Sequence, residues 1–281
     1  MPSTTILIER FKKIRTLPHS VTKLMQLINN EDSTLQDFEA VIRLDPVLVG
    51  RLLTLVNNSY FGLRKKVDSI SRAVALLGMK NLHNIAITDA IQGMLSNRSG
   101  GVQFFPQQLW RHSAAVSICC KMISERIFEI NGDDAYLCGI LHDIGLIVEM
   151  EVEQELFLKL IDRLTPDSPP LISLERELFQ TDHCRIGSIL ARDWHIPEAI
   201  AEALAFHHDH SGSVAPRSPR GILQMSEYIV HQLHIPALKE GLPSPLAPSL
   251  AAHIQENMEE YQVLAEDLPE ELAITNSMYG S

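Results

Sequence analysis

The chain is short of several things, and each shortage excludes a class of protein. Cysteine is confined to positions 119, 120, 138 and 184. These four form no CxxC pair, and the adjacent Cys119-Cys120 is poor disulfide geometry, so a secreted-type disulfide framework is not expected. A reducing cytoplasm is the compartment this implies. Positive charge is short as well: 24 Lys and Arg stand against 35 Asp and Glu, a net charge of −11. Nonspecific binding to DNA or RNA rests on clustered cations that neutralise phosphates, so this balance argues against a nucleic-acid partner. The short run Arg64-Lys65-Lys66 reads as a solvated loop. No apolar run approaches the roughly 20 residues that cross a bilayer. Met1-Pro2-Ser3-Thr4-Thr5 lacks the basic segment and apolar core of a signal peptide. Strand-type alternation, internal repeats and low-complexity tracts are also missing.

What remains is an ordinary globular composition, 45% hydrophobic and 21% charged over 281 residues, enough to bury a sizeable core. Apolar residues recur at helical spacing, which predicts an all-α fold. Val21, Leu24, Met25, Leu27 and Ile28 mark one helix, with Asp32 or Ser33 as the expected cap of the next, which carries Leu35, Phe38, Val41 and Ile42. Asp45-Pro46 reads as a cap followed by proline at the first helical position. Asn57 to Gly62 reads as a helix end and turn, and Gly78 as the stop of a helix that begins near Ser69. Further helices are expected near Pro106–Phe128, Leu137–Val152, Leu171–Phe179, Asp182–Trp194, Pro197–His207 and Pro219–Leu233, before an acidic helical tail. Asn97-Arg98-Ser99-Gly100-Gly101 is the expected boundary between an N-terminal helical lobe, 1–98, and a second helical lobe, 102–240, with a tail at 241–281.

One stretch breaks the pattern. In Leu137-Cys138-Gly139-Ile140-Leu141-His142-Asp143-Ile144-Gly145 two ionisable residues interrupt an apolar run. Alone, such a pair is more often satisfied by hydrogen bonds than by a metal ion. Helical spacing, however, puts His112 on the stripe of Leu109, Val116, Cys119 and Ile123. It aligns His183 with Ile186 and Leu190, sets His207 and His208 three and four residues after Leu204, and puts Glu227 between Leu223 and Val230. Seven titratable side chains on inward faces of five helices, left unpaired, would each cost on the order of 1–3 kcal/mol. One or two divalent ions remove that cost. Imidazole and carboxylate donors suit Fe, Mn, Zn or Ni, with Mg also admitted, and the cysteines are expected to fall outside the set. A pair of ions bridged by Asp143 suits hydrolysis of a phosphoester, with His142 and Asp143 as the catalytic pair. His19, His83, His231, His234 and His253 are read as ordinary, His195 as a helix end, and His210 as no more than a supporting group.

These segments resemble the HDOD proteins, members of the HD-domain superfamily of metal-dependent phosphohydrolases and their signalling relatives. The resemblance is carried in the first lobe by Leu17-Pro18, Asp45-Pro46-Val47-Leu48, Arg51-Leu52-Leu53, Val56 to Gly62, and Val67-Asp68-Ser69-Ile70 with Ala73 and Leu77-Gly78. In the second it is carried by Leu109 to Ser113, Gly139 to Gly145, Asp182-His183 with Gly187, Trp194 and Pro197, and His207-His208. It implies a multi-helix HD-type bundle in which residues matching His112, His142, Asp143, His183, His207 and His208 bind one or two metal ions, completed by a late carboxylate. Two departures stand out. The late position reads Ser226-Glu227 where relatives carry Asp, and Leu146 stands where many hydrolytic relatives carry Lys. There is no Gly-Tyr-Pro motif, which argues against cyclic-di-GMP hydrolysis. Two functions follow: a phosphohydrolase acting on a phosphoester such as a nucleotide, or a noncatalytic signalling module with a structural or sensory metal and a protein partner.

Overall fold

The computed structural model describes residues 4–15, 17–57, 66–96, 104–239 and 245–279. Every regular element among them is helical. In chain order they are α1 (Thr4–Ile14), α2 (His19–Ile28), α3 (Leu35–Arg43), α4 (Pro46–Val56), α5 (Ile70–Ser96), α6 (Phe104–Met122, passing into a π turn at Ile123–Ile127), α7 (Asp133–Leu141) and α8 (Ile144–Val152). There follow α9 (Gln154–Arg163), α10 (Leu171–Phe179), α11 (His183–Asp193), α12 (Glu198–Phe206), α13 (Pro219–Gln232), α14 (Pro248–Glu256) and α15 (Met258–Tyr279).

Two compact units result, Met1–Thr16 with Leu95–Leu268, and Leu17–Met94 with Pro269–Ser281. The linear boundaries expected at 98–102 and at 240–241 lie outside the described residues, as do the turn at 58–62 and most of the Arg64-Lys65-Lys66 loop. The units also cut across those boundaries. α1 belongs with the larger unit because Leu7, Ile8 and Phe11 are buried on its contacts with α8 and α11. Thr4 Oγ1 donates to Thr181 Oγ1 at 2.8 Å on the same face. Tyr261 likewise ties the start of α15 to α13, its hydroxyl 3.4 Å from Met225 Sδ.

In the smaller unit, Leu24, Phe38, Ile42, Leu52 and Val56 form the core of α2, α3 and α4. Thr34, one or two residues later than expected, caps α3 in a reciprocal capping box with Asp37. Asp45 caps α4 as predicted, accepting from Val47 N at 3.1 Å and Leu48 N at 3.0 Å. Gly78, with φ 74° and ψ 167°, is non-helical and divides α5 into two helices at a kink, the stop expected there.

The larger unit is built on α6, which packs on α7 and α13; α11 lies between α8 and α12, and α12 touches α7 and α13. Two glycines set the spacing of the bundle. A Cβ at Gly139 would lie 2.5 Å from Ser117 Cα, so α7 can lie directly on α6. A Cβ at Gly145 would lie 2.1 Å from His183 O, so the starts of α8 and α11 meet backbone to backbone.

Candidate metal centre

The expected single helix around 137–152 is two helices, and the break falls on the His-Asp pair. His142 caps the C-terminus of α7 and Asp143 precedes the first residue of α8, with φ −100° and ψ 14°. His183 opens α11 and His207 closes α12. The centre is therefore a meeting of helix ends, and only His112 in α6 and Glu227 in α13 reach it from the middle of a helix. Asp143 gains from its place at the start of α8, where free N–H groups and the helix dipole favour an anion.

Asp143 lies at the middle. Its Oδ2 is 3.1 Å from His142 Nε2 and 3.8 Å from His112 Nε2, and its Oδ1 is 3.5 Å from His183 Nε2 and 3.9 Å from His207 Nε2. Glu227 Oε1 is 3.7 Å from His142 Nε2. His208 joins through its ring, whose centroid lies 4.3 Å from that of His207. Donor atoms of His112, His142 and Glu227 form one group, and those of His183, Cys184, His207 and His208 a second, each within 4.8 Å. All seven predicted residues are thus brought together.

Four of the rings are held from behind. Nδ1 of His112 bonds Ile235 O, Nδ1 of His142 bonds Gly139 O, and Nδ1 of His207 bonds Leu204 O, each at 2.7 Å. Nδ1 of His183 lies 2.7 Å from Glu175 Oε1. Carbonyl and carboxylate oxygens only accept, so each Nδ1 carries the hydrogen and each Nε2 is turned inward. His142 and His207 achieve this in the same way, donating to the carbonyl three residues back at the end of their own helices. For His112 the acceptor is supplied by the chain reversal after α13, where His234 takes φ 56° and Ile235 N returns to Val230 O at 3.2 Å.

The charges are arranged for a cation. Burial, then repulsion from His142, lowers the His112 pKa to about 4, and burial likewise drives His207 and His208 well below the usual imidazole value. Burial opposes protonation of His142 too, but the Asp143 carboxylate outweighs it and raises the imidazole to about 9. His183 is raised, burial notwithstanding, by Cys184 and Glu175. Asp143 is held well below the usual carboxylate range because His142, His183 and His112 outweigh its burial. The Asp143 carboxylate at His142, and Cys184 with Glu175 at His183, thus favour positive charge at the centre. Yet His142 Nε2 is buried without a well-formed hydrogen bond, and the inward nitrogens of His183 and His207 face each other at 3.3 Å. This donor set fits a divalent ion.

Two groups were not expected. Cys184, predicted to lie outside the set with the other cysteines, has Sγ 3.6 Å from His183 Nε2 and 3.9 Å from His207 Nε2. Residues i and i+1 of a helix point apart, so spacing separates Cys184 from His183; at the first turn of α11, with the centre beyond the helix end, both reach it. Glu175 sits on α10, four residues before its end, where no local pattern marks it; the left-handed Gln180, φ 59°, turns the chain so that α10 backs His183.

A cavity of about 460 Å³ opens on the centre, lined by His112, Asp143, His208 and Glu227 at one end. Its remaining wall is mostly apolar, including Leu146, Leu164, Leu171, Ile172 and Leu238. Lys239 is the one Lys or Arg among its lining residues, and His210 and His231, read as supporting and ordinary from sequence, also line it.

The chain belongs to the HDOD family: the sequence model of the HDOD domain matches residues 14–210. It is 29% identical over 206 residues to an uncharacterised protein of Treponema pallidum, a match covering 72% of this chain but only 39% of that protein's length. Among solved structures, it superposes on a candidate phosphohydrolase of Shewanella amazonensis with a TM-score of 0.68 at 25% identity, over 97% of this chain and 95% of that one. A candidate signal transduction protein of Marinobacter aquaeolei shares the fold, with a TM-score of 0.74 at 18% identity over 98% of this chain and 63% of that one. Among the described residues no helix is long and apolar enough to cross a membrane.

Proposed function

We propose that this protein is a cytoplasmic metal-dependent phosphohydrolase of the HD kind, acting on a phosphoester such as a nucleotide in a signalling setting. The observation that carries the reading is Asp143, a deprotonated carboxylate with one oxygen toward each donor group and the cavity open beside it. His112, His142, Asp143 and Glu227 would hold one ion, and Asp143, His183, His207 and His208 a second. Ions so held supply a water of lowered pKa and neutralise charge on phosphoryl oxygens. The chain's own part is preorganisation. The Nδ1 contacts keep four rings from turning, so the donors meet a ligand without rearrangement. The rest of the cavity wall is mostly apolar, and Lys239, held there by its bond to Leu164 O at 3.2 Å, offers a single positive charge to an anionic substrate.

A screen of phosphoesters with Mn, Fe and Mg tests this. Metal-dependent turnover that disappears in Asp143→Ala is the expected result; a full screen without turnover by metal-loaded protein rejects it. One observation favours the second reading, a noncatalytic signalling module with a protein partner. Leu146, fully buried, lines the cavity where hydrolytic relatives would place a lysine, so no cation stands at that position and Lys239 is the one Lys or Arg on the wall.

A further inference from the structure

The second donor group contains a thiol that the phosphohydrolase reading leaves unused. Cys184 is 4% exposed, and its Sγ stands at 3.6 Å and 3.9 Å from two imidazole nitrogens that are themselves 3.3 Å apart. Metal bonds of about 2.0–2.1 Å to nitrogen and about 2.3 Å to sulfur, at tetrahedral angles, span edges of about 3.3 Å between nitrogens and about 3.6 Å between nitrogen and sulfur. The triangle of His183, His207 and Cys184 has nearly those edges, and His208 supplies a fourth donor within the same 4.8 Å. The first group, by contrast, contains only imidazoles and a carboxylate.

We propose that Cys184 Sγ is a metal ligand, so that the centre has two chemically unlike positions: a thiolate-imidazole position at His183, Cys184, His207 and His208, and an imidazole-carboxylate position at His112, His142 and Glu227. Asp143 faces both. The inference rests on the metal-binding reading and adds to it the identity of a donor and a selectivity. On ligation the S–H bond breaks, the metal–sulfur bond forms, and the proton leaves to solvent; no electron changes hands. Thiolate favours Zn, Co and Cd over Mg and Mn, so the two positions fill with different preferences.

Titration of the metal-free full chain with Co(II), without oxygen, separates the outcomes. Ligand-field bands in the visible report an ion in the centre, and a sulfur-to-cobalt charge-transfer band in the near ultraviolet reports the thiolate. The expected result is both bands in the native chain, with loss of the near-ultraviolet band alone in Cys184→Ser, accompanied by Cd affinity weaker by about tenfold or more and Mn affinity little changed. Ligand-field bands without the charge-transfer band in the native chain overturn the Cys184 assignment and leave the metal centre standing. Absence of both sets of bands overturns the metal centre and this inference together. Should Cys184→Ser fail to fold, X-ray absorption of the Zn-loaded native chain decides the matter: a sulfur neighbour at about 2.3 Å supports the assignment, and nitrogen and oxygen neighbours alone reject it.

Discussion

Glu175 Oε1 lies 2.7 Å from His183 Nδ1, and both side chains are fully buried. Glu175 Oε2 also accepts from the His183 backbone N–H at 3.3 Å, so one carboxylate fixes both the ring and the start of α11. A carboxylate behind a ligating imidazole sets its tautomer and strengthens it as a donor, and losing such a partner typically weakens metal binding by about 10- to 100-fold. Glu175→Gln is therefore expected to weaken Zn or Co binding by about that factor while the fold persists, as read by competition with a chelator. Unchanged affinity would show that His183 does not ligate.

Metal affinity should rise with pH across the neutral range. His112, His207 and His208 are already neutral near pH 7 because burial depresses them. Protonated His142, with its pKa raised to about 9 by Asp143, and Glu227, raised by burial to about 7, must instead release protons when an ion binds. Below these values protons compete with the metal, so each proton released contributes up to about a tenfold gain in affinity per pH unit until its group's pKa is passed. The gain should be steepest below about pH 7, where both groups contribute, and continue more gently above about 9, because the raised His183 imidazole and the Cys184 thiol, pushed by burial to about 11, also release protons. Calorimetry in buffers of different ionisation enthalpy measures the protons released, and an affinity that stays flat from pH 6 to 9 would contradict this ligand set.

Gly145→Ala should damage fold and centre together. The added Cβ would stand 2.1 Å from His183 O and 2.6 Å from His183 Cα, and backbone cannot swing aside as a side chain can. Overpacking of this kind costs roughly 1–3 kcal/mol, and the rigid neighbour puts this case at the upper end. Urea unfolding should show the loss, and the variant should carry less metal because His183 is displaced. A variant as stable as the parent with full metal content would mean that α8 and α11 do not meet at Gly145.

How much of this was legible in the sequence depends on where each residue sits in its helix. The helices themselves were readable, since period and punctuation by proline and glycine suffice for them, and so were His112 and Glu227, which lie mid-helix among apolar residues of the same stripe. His142, Asp143, His183 and His207 occupy helix ends. Helical spacing still points them inward, but it hides the break at His142-Asp143 and assigns Cys184 to another face. Glu175 was illegible for a different reason: its role depends on the turn at Gln180, which brings two helices back on each other, and no local pattern encodes that meeting. The resemblance to HDOD proteins supplied the candidate donors but not Cys184, which lies outside the motif.

The cavity offers a way to test substrate entry apart from the metal donors. Ile172 and Leu171 line it from the first turn of α10, away from the donor atoms, while Glu175, one turn further along the same helix, supports His183. Ile172→Trp would add an indole to a space of about 460 Å³ without removing any donor or any Nδ1 contact. If substrate enters here, kcat/KM for a phosphoester should fall by at least about tenfold, a loss of about 1.4 kcal/mol of transition-state stabilisation, with metal content unchanged. The loss should be smaller for inorganic or short-chain phosphates than for nucleotides, because only the body of the larger substrate competes with the indole for the apolar wall. Equal losses for both would show that the substitution acts on the metal centre itself, and no loss for either would show that substrate reaches Asp143 by another route.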